Sequence, residues 1–191
     1  MAATVEIHRH TGPGGGRTRT NITSATTRAS TSDAAAPGTA DPVPIPAAGT
    51  NYAFWISTKL RVTGGAYATV SNIRWFSDGT NNFGTGVTCL GAVANTNGAN
   101  SEADGYYQAQ GSQGVNGTEL TQGNHDGLDE APANVFGYNS GSPKTVDSGS
   151  TASGGEPKDV GKFFVFQVQV ASTATAGTIP AETFSWRYDE T

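Results

Sequence analysis

The stretch Phe163-Phe164-Val165-Phe166-Gln167-Val168-Gln169-Val170 decides the fold. Four consecutive apolar residues pass into strict alternation, the pattern of a central strand buried inside a sheet. Downstream, a Thr-rich loop holds Gly177 and Pro180. Phe184, Trp186 and Tyr188 then alternate with Ser185 and Arg187, which predicts a last strand with one aromatic face. Upstream, Tyr52, Phe54, Ile56, Leu60 and Val62 read as a half-buried strand that ends at Gly64-Gly65. Residues 67–77 predict a second strand, with a change of phase near Ser71-Asn72 that points to a bulge. Residues 78–82 are turn chemistry. Val87, Cys89 and Val93 share one face of a third strand, and residues 95–104 form a polar loop. Residues 106–110, 134–138 and 143–147 read as short strands around a long Gly/Asn/Ser-rich excursion. No segment carries a helical period with caps. Short strands at turn-punctuated spacing predict an all-β fold, an antiparallel β-sandwich of jelly-roll or Ig-like type, over residues 45–191.

Residues 1–44 read differently. They hold few apolar anchors beyond Val5, Ile7, Ile22 and Val43. Gly12 to Gly16 form a flexible break, and Pro37, Pro42, Pro44 and Pro46 favour extended chain. Such a segment cannot bury enough area to order itself, since ordering costs about 1–2 kcal/mol per residue. It is expected to be an extended N-terminal arm that lies on partner subunits. Arg9, Arg17, Arg19 and Arg28 face only Glu6 within residues 1–30, a net +3 in a chain of net charge −5, so the remainder carries −8. Arginines without lysine suit carboxylates on a protein partner. Arg9, Arg17, Arg19, Ile22 and Arg28 are therefore the expected partner-binding residues.

The acidic body argues against nucleic-acid binding, which needs a basic face. No apolar run approaches the roughly 20 residues that span a bilayer, and residues 1–10 lack the apolar region of a signal peptide. With one cysteine, Cys89, no intrachain disulfide or cysteine-based zinc cage is possible. Cys89 reads as a buried, inert thiol. Gly12 to Gly16 lead into Arg17 without the Lys-Ser/Thr of a phosphate loop. His8 and His10 lie on one side of an extended segment and could meet a metal only around a symmetry axis. Asp126, Asp129 and Glu130 could hold calcium but lack EF-hand spacing, so a surface turn is expected. No catalytic residue, metal site or cofactor is expected, and the protein reads as a non-enzyme. Trp75 and Trp186 share faces with other apolar residues and read as core. Trp55 lies opposite Phe54 and Ile56 and is the candidate surface aromatic.

Four stretches carry a resemblance: Ile45-Pro46-Ala47-Ala48-Gly49-Thr50; Ile73-Arg74-Trp75-Phe76-Ser77-Asp78-Gly79-Thr80-Asn81; Phe83-Gly84-Thr85-Gly86-Val87; and Pro180-Ala181-Glu182-Thr183-Phe184-Ser185-Trp186-Arg187-Tyr188-Asp189-Glu190. Over residues 45–191 the chain resembles a loosely defined group of structural proteins from tailed phages and tailed archaeal viruses. The resemblance implies a virion β-sandwich, a capsid decoration or cement subunit bound to the major capsid protein and homo-oligomeric in the assembly. Its close variant is a tail, neck or tube component. A fibre-like sandwich that binds glycans or a receptor is the alternative, and it requires exposed aromatics. No catalytic motif comes with the resemblance.

Overall fold

The computed structural model describes residues 2–154 and 157–191. Among the described residues twelve strands follow in order: β1 Thr4–Thr11, β2 Thr18–Asn21, β3 Thr50–Tyr52, β4 Ile56–Gly64, β5 Val70–Phe76, β6 Val87–Ala94, β7 Gly111–Ser112, β8 Asn116–Gly117, β9 Ala133–Asn134, β10 Lys144–Ala152, β11 Lys158–Ala171 and β12 Ser185–Glu190. All pairings are antiparallel. The large sheet runs β2-β1-β4-β11-β6-β9, with β3 also on β11. A smaller sheet runs β10-β5-β12, and β7 and β8 make a separate hairpin. The chain is all-β, and the two larger sheets enclose an apolar core.

The apolar run that begins at Phe163 lies in β11, between β4 and β6, as its pattern predicts. Its residues divide by parity. Phe164, Phe166, Val168 and Val170 point to the small sheet and join Leu60, Val62, Ile73, Trp75, Cys89 and Val93 in one cluster. The rings of Trp75 and Phe164 stack across the two sheets, with centroids 4.1 Å apart. Two glycines make room for this packing. A Cβ on Gly91 would meet the Phe164 ring at 2.8 Å. Gly161, at φ +67°, sits where the β11–β4 register shifts between Val160 and Phe164, and its Cβ would strike Ile73 Cδ1 at 2.6 Å. The expected bulge in β5 is present. Asn72 has φ +52°, and the register of both flanking strands skips it.

Phe163, Val165 and Gln167 point the other way. There the excursion of residues 95–134 covers the large sheet, and Phe54, Trp55, Tyr106, Leu120 and Leu128 join Phe163 and Val165 in a second cluster. The large sheet is thus covered on both faces, except at one end of the face towards the small sheet. The strand expected to be half-buried is covered on both sides, from Ala53 through Leu60. Residues 106–110 form no strand; residues 134–138 give the end of β9 and a 3-10 turn over Val135–Gly137. Phe184 and Trp186 are half-buried and pack on the first cluster.

The expected arm is corrected. Met1 lies outside the described residues, but Thr4–Thr11 is a full strand of the chain's own sheet, paired with β4 from Thr4–Gly64 to His10–Ser57. β2 returns beside it. The body therefore does not begin at residue 45. Residues 22–49 have little regular structure, yet they lie on the body. The Phe54 N–H donates to the Ser30 carbonyl at 2.8 Å and the Gly114 N–H to the Thr31 carbonyl at 3.2 Å. The accessible surface, 8526 Å², matches the roughly 8,600 Å² of a compact monomer of this mass. Apolar content alone does not reveal this strand, because β1 is held by main-chain pairing and by charged side chains whose partners are remote in sequence.

Candidate interaction surfaces

The arginines expected to bind a partner are mostly engaged within the chain. β1 places His8 and His10 towards the excursion side and Arg9 on the opposite side. Arg9 is 1% exposed, and its Nη1 donates to Thr27 Oγ1 at 2.7 Å. Burial lowers its pKa to about 10, against the pull of Asp33. Arg17 grips Asp104 with two hydrogen bonds, Nη1 to Oδ1 at 2.9 Å and Nη2 to Oδ2 at 2.6 Å. Its guanidinium lies 4.9 Å from the Tyr106 ring centroid. Lys59 Nζ is 3.7 Å from Asp104 and 4.4 Å from the Phe163 ring centroid. Arg19 and Arg61 share Asp159, at 2.9 and 2.8 Å. Burial raises the Asp104 carboxyl, but the Arg17 hydrogen bonds and the Lys59 charge outweigh it and hold the pKa at about 2. Ile22 is half-buried, and its N–H donates to the Ile7 carbonyl at 2.8 Å. Of the named arginines, only Arg28 is exposed without an acidic partner among the described residues.

The histidines are internal as well. His10 is 2% exposed and meets the Phe163 ring edge-on at 4.9 Å. Burial and the charges of Arg17, Arg19 and Lys59 lower its pKa to about 3, opposed by Asp159. His125 is fully buried against Trp55 and Tyr107, and burial lowers its pKa to about 4. No ring nitrogen of either histidine has a hydrogen-bond partner. His8 bonds Glu6 at 2.7 Å.

Trp55 is not a surface aromatic. It is 1% exposed, and its Nε1 donates to the Tyr107 carbonyl at 3.1 Å. The excursion covers the face that local alternation left open. Asp126, Asp129 and Glu130 each serve a different partner: Asn100, the Lys162–Thr96 pair, and Lys144. Among the described residues no cluster of three or more His, Cys, Asp or Glu is arranged to hold a metal. Cys89 is fully buried, and burial raises its pKa.

The open apolar surface lies elsewhere. The small sheet leaves one end of the large sheet uncovered. There Ile56, Val87, Phe166, Val168 and Val170 floor a groove of about 660 Å³. Residues 26–29 and 42–45 form one wall and residues 174–182 the other. Three large aliphatic side chains are exposed among the described residues, and two of them, Ile45 and Ile179, flank this groove on opposite walls. Sequence reading missed the groove because its floor is indistinguishable from core by periodicity. The Pro-spaced Val43 and Ile45 were its one local signal. The chain matches no protein family, no curated protein and no solved structure at a significant level.

Proposed function

We propose that this protein is a non-enzymatic structural subunit of a virion, a capsid decoration or cement subunit seated on the major capsid protein. A tail, neck or tube position is the close variant. The supporting observation is the use the molecule makes of its aromatic and charged side chains. Trp55 and Trp75 are each 1% exposed, and Arg9, Arg17 and Arg19 are tied to the chain's own residues. What stays open is an apolar groove between two irregular walls, a surface suited to a neighbouring subunit. This allocation disfavours the fibre-like glycan-binding reading, because that reading needs exposed aromatic faces for stacking. The antiparallel sandwich is read here as one of the jelly-roll or Ig-like kind that the resemblance implies. Its attachment is assigned to the groove and to Arg28 rather than to a free arm.

Mass spectrometry of purified particles tests the reading. The chain should be present in fixed stoichiometry, and the purified full chain should rebind particles stripped of it and raise their melting temperature. Its absence from purified particles contradicts the proposal.

A further inference from the structure

One row across the small sheet sets like charges side by side. Arg187 of β12 lies directly opposite Arg74 of β5, and Thr145 of β10 flanks Arg74 on its other side. The adjoining residues Trp75 and Trp186 pack on the core, so both arginines lie on the outer face of the sheet. Arg187 is exposed and Arg74 half-buried. Like charges directly opposite on neighbouring strands destabilise the pair. Nothing among the described residues relieves this repulsion, since neither arginine takes part in an ion pair. Asp189, two residues along β12 on the same face, accepts instead from Asn72 Nδ2 at 2.6 Å. Arg187 makes one long bond, 3.4 Å, to the Ser140 carbonyl, and its guanidinium lies over the Phe76 ring, 5.8 Å from the centroid. A guanidinium held against a ring keeps most of its N–H donors free for a partner.

We propose that the outer face of the small sheet is a second contact surface, where Arg74 and Arg187 together take the carboxylates of an acidic segment on another protein. Charge complementarity selects this occupant. A guanidinium fork pairs with a carboxylate through two parallel N–H bonds, and an anion seated between two forks removes their repulsion. Phe76, half-buried under Arg187, adds an apolar contact beside the charges, and arginine with an aromatic neighbour is the commonest kind of interface anchor. A nucleic-acid backbone fits poorly. It needs a broad basic field, whereas this row holds two cations on a chain of net charge −5. A second copy laid face to face about a two-fold axis would set the arginine row on itself. The inference rests on the assembly reading only for the partner's place in a particle, and its chemistry is tested on the chain alone.

Nuclear magnetic resonance titration of the full chain with acetylated hexa-aspartate at low salt is the test. The Nε–Hε signals of Arg74 and Arg187 should shift together and saturate, with a dissociation constant of about 1 mM, the strength of a few solvent-exposed charge pairs. Arg74→Gln and Arg187→Gln should each weaken binding about threefold. The double variant should not saturate, and Lys158→Gln, on β11, should bind as the wild type does. Without peptide, Arg74→Gln should leave the melting temperature unchanged or raise it, because it removes the repulsion. Hexa-aspartate that leaves both arginine signals unmoved overturns the proposal, and so does saturation that survives the double variant. Tripolyphosphate that saturates the pair where hexa-aspartate does not overturns it as well, since the occupant is then a phosphate. A fall of several degrees on Arg74→Gln overturns the charge conflict and assigns the row to stability. If peptide binding stands but purified particles lack the chain, the virion reading fails and this one survives.

Discussion

The two faces of the large sheet are built by different means. Towards the small sheet, Leu60, Val62, Ile73, Trp75, Phe164 and Phe166 pack without an ionised group among them. Towards the excursion, the same strands bury Lys59, His10 and Gln167 beside Phe163 and Val165. The first face is stabilised by apolar burial; the second also buries polar groups, some paired, as Gln167 is, and some unpaired, as the His10 ring is. Gln167 shows the second mode. It is fully buried, its Nε2 donates to the carbonyls of Ala53 and Thr118 at 2.8 and 2.7 Å, and its Oε1 accepts from Leu120 N at 2.8 Å. One side chain thus ties the excursion to the central strand. Buried polar groups are costly when unpaired and specific when paired, so the second face fixes which loop lies where.

The largest effect is expected on the apolar face. Phe164→Ala should cost about 3–5 kcal/mol, read as a fall in the urea midpoint at constant slope. Loss below about 1 kcal/mol would mean that the Trp75–Phe164 stack is not core. On the polar face, Gln167→Ala should cost about 3 kcal/mol, because three main-chain groups lose their buried partner. Gln167→Leu, which keeps the volume, should do no better. A well-tolerated leucine would place the polar face in the same class as the apolar one.

Acid separates the faces further. His10 and His125 have folded pKa values of about 3 and about 4, below the unfolded value near 6.5. The neutral ring is the one that fits. Their contribution to stability is complete above about pH 6.5 and falls, as pH drops towards the folded values, by about 1.4 kcal/mol per unit for each histidine. Asp104 acts later. Its pKa is lowered to about 2, so the stability from its pairing is present above about pH 4 and is lost as pH falls through the folded value. Thermal melts between pH 7 and 4.5 should therefore show a loss that His125→Leu reduces and Asp104→Asn leaves in place. A flat profile over that range contradicts the burial of both imidazoles.

The smallest effect is expected for the partly exposed ion pair. A double-mutant cycle on Arg17 and Asp104 should give a coupling of about 1 kcal/mol, because solvent screens part of the attraction. The coupling should shrink in 1 M salt, whereas the cost of Phe164→Ala should not.

The apolar face was legible in the sequence and the polar face was not. The period-two pattern around Phe166 places β11 in the sheet, and the change of phase at Ser71-Asn72 marks a real bulge, because both signals are local. His8-Arg9-His10 reads as part of an arm for partner subunits, since burying it within the chain makes sense only with Lys59, Asp104, Tyr106, Asp159 and Phe163 in place. Those partners lie roughly 50 to 150 residues away, and no window along the chain joins them. Trp55 failed for the same reason: alternation gives the side of the strand but not what covers it. The groove was invisible because its floor residues carry the same pattern as the core.

Hydrogen exchange on the isolated full chain, diluted to a monomer, tests most directly whether the N-terminal segment belongs to the body. The strand segment Ile7 to Thr11 pairs with β4 as far as His10 and with β2 from His8 onward. The account predicts that the protected amides of this strand exchange on the timescale of those in β4 and β11, and far more slowly than the loop of residues 174–182. Exchange of Ile7 to Thr11 as fast as that loop, while β11 stays protected, would restore the free arm and contradict the fold described above.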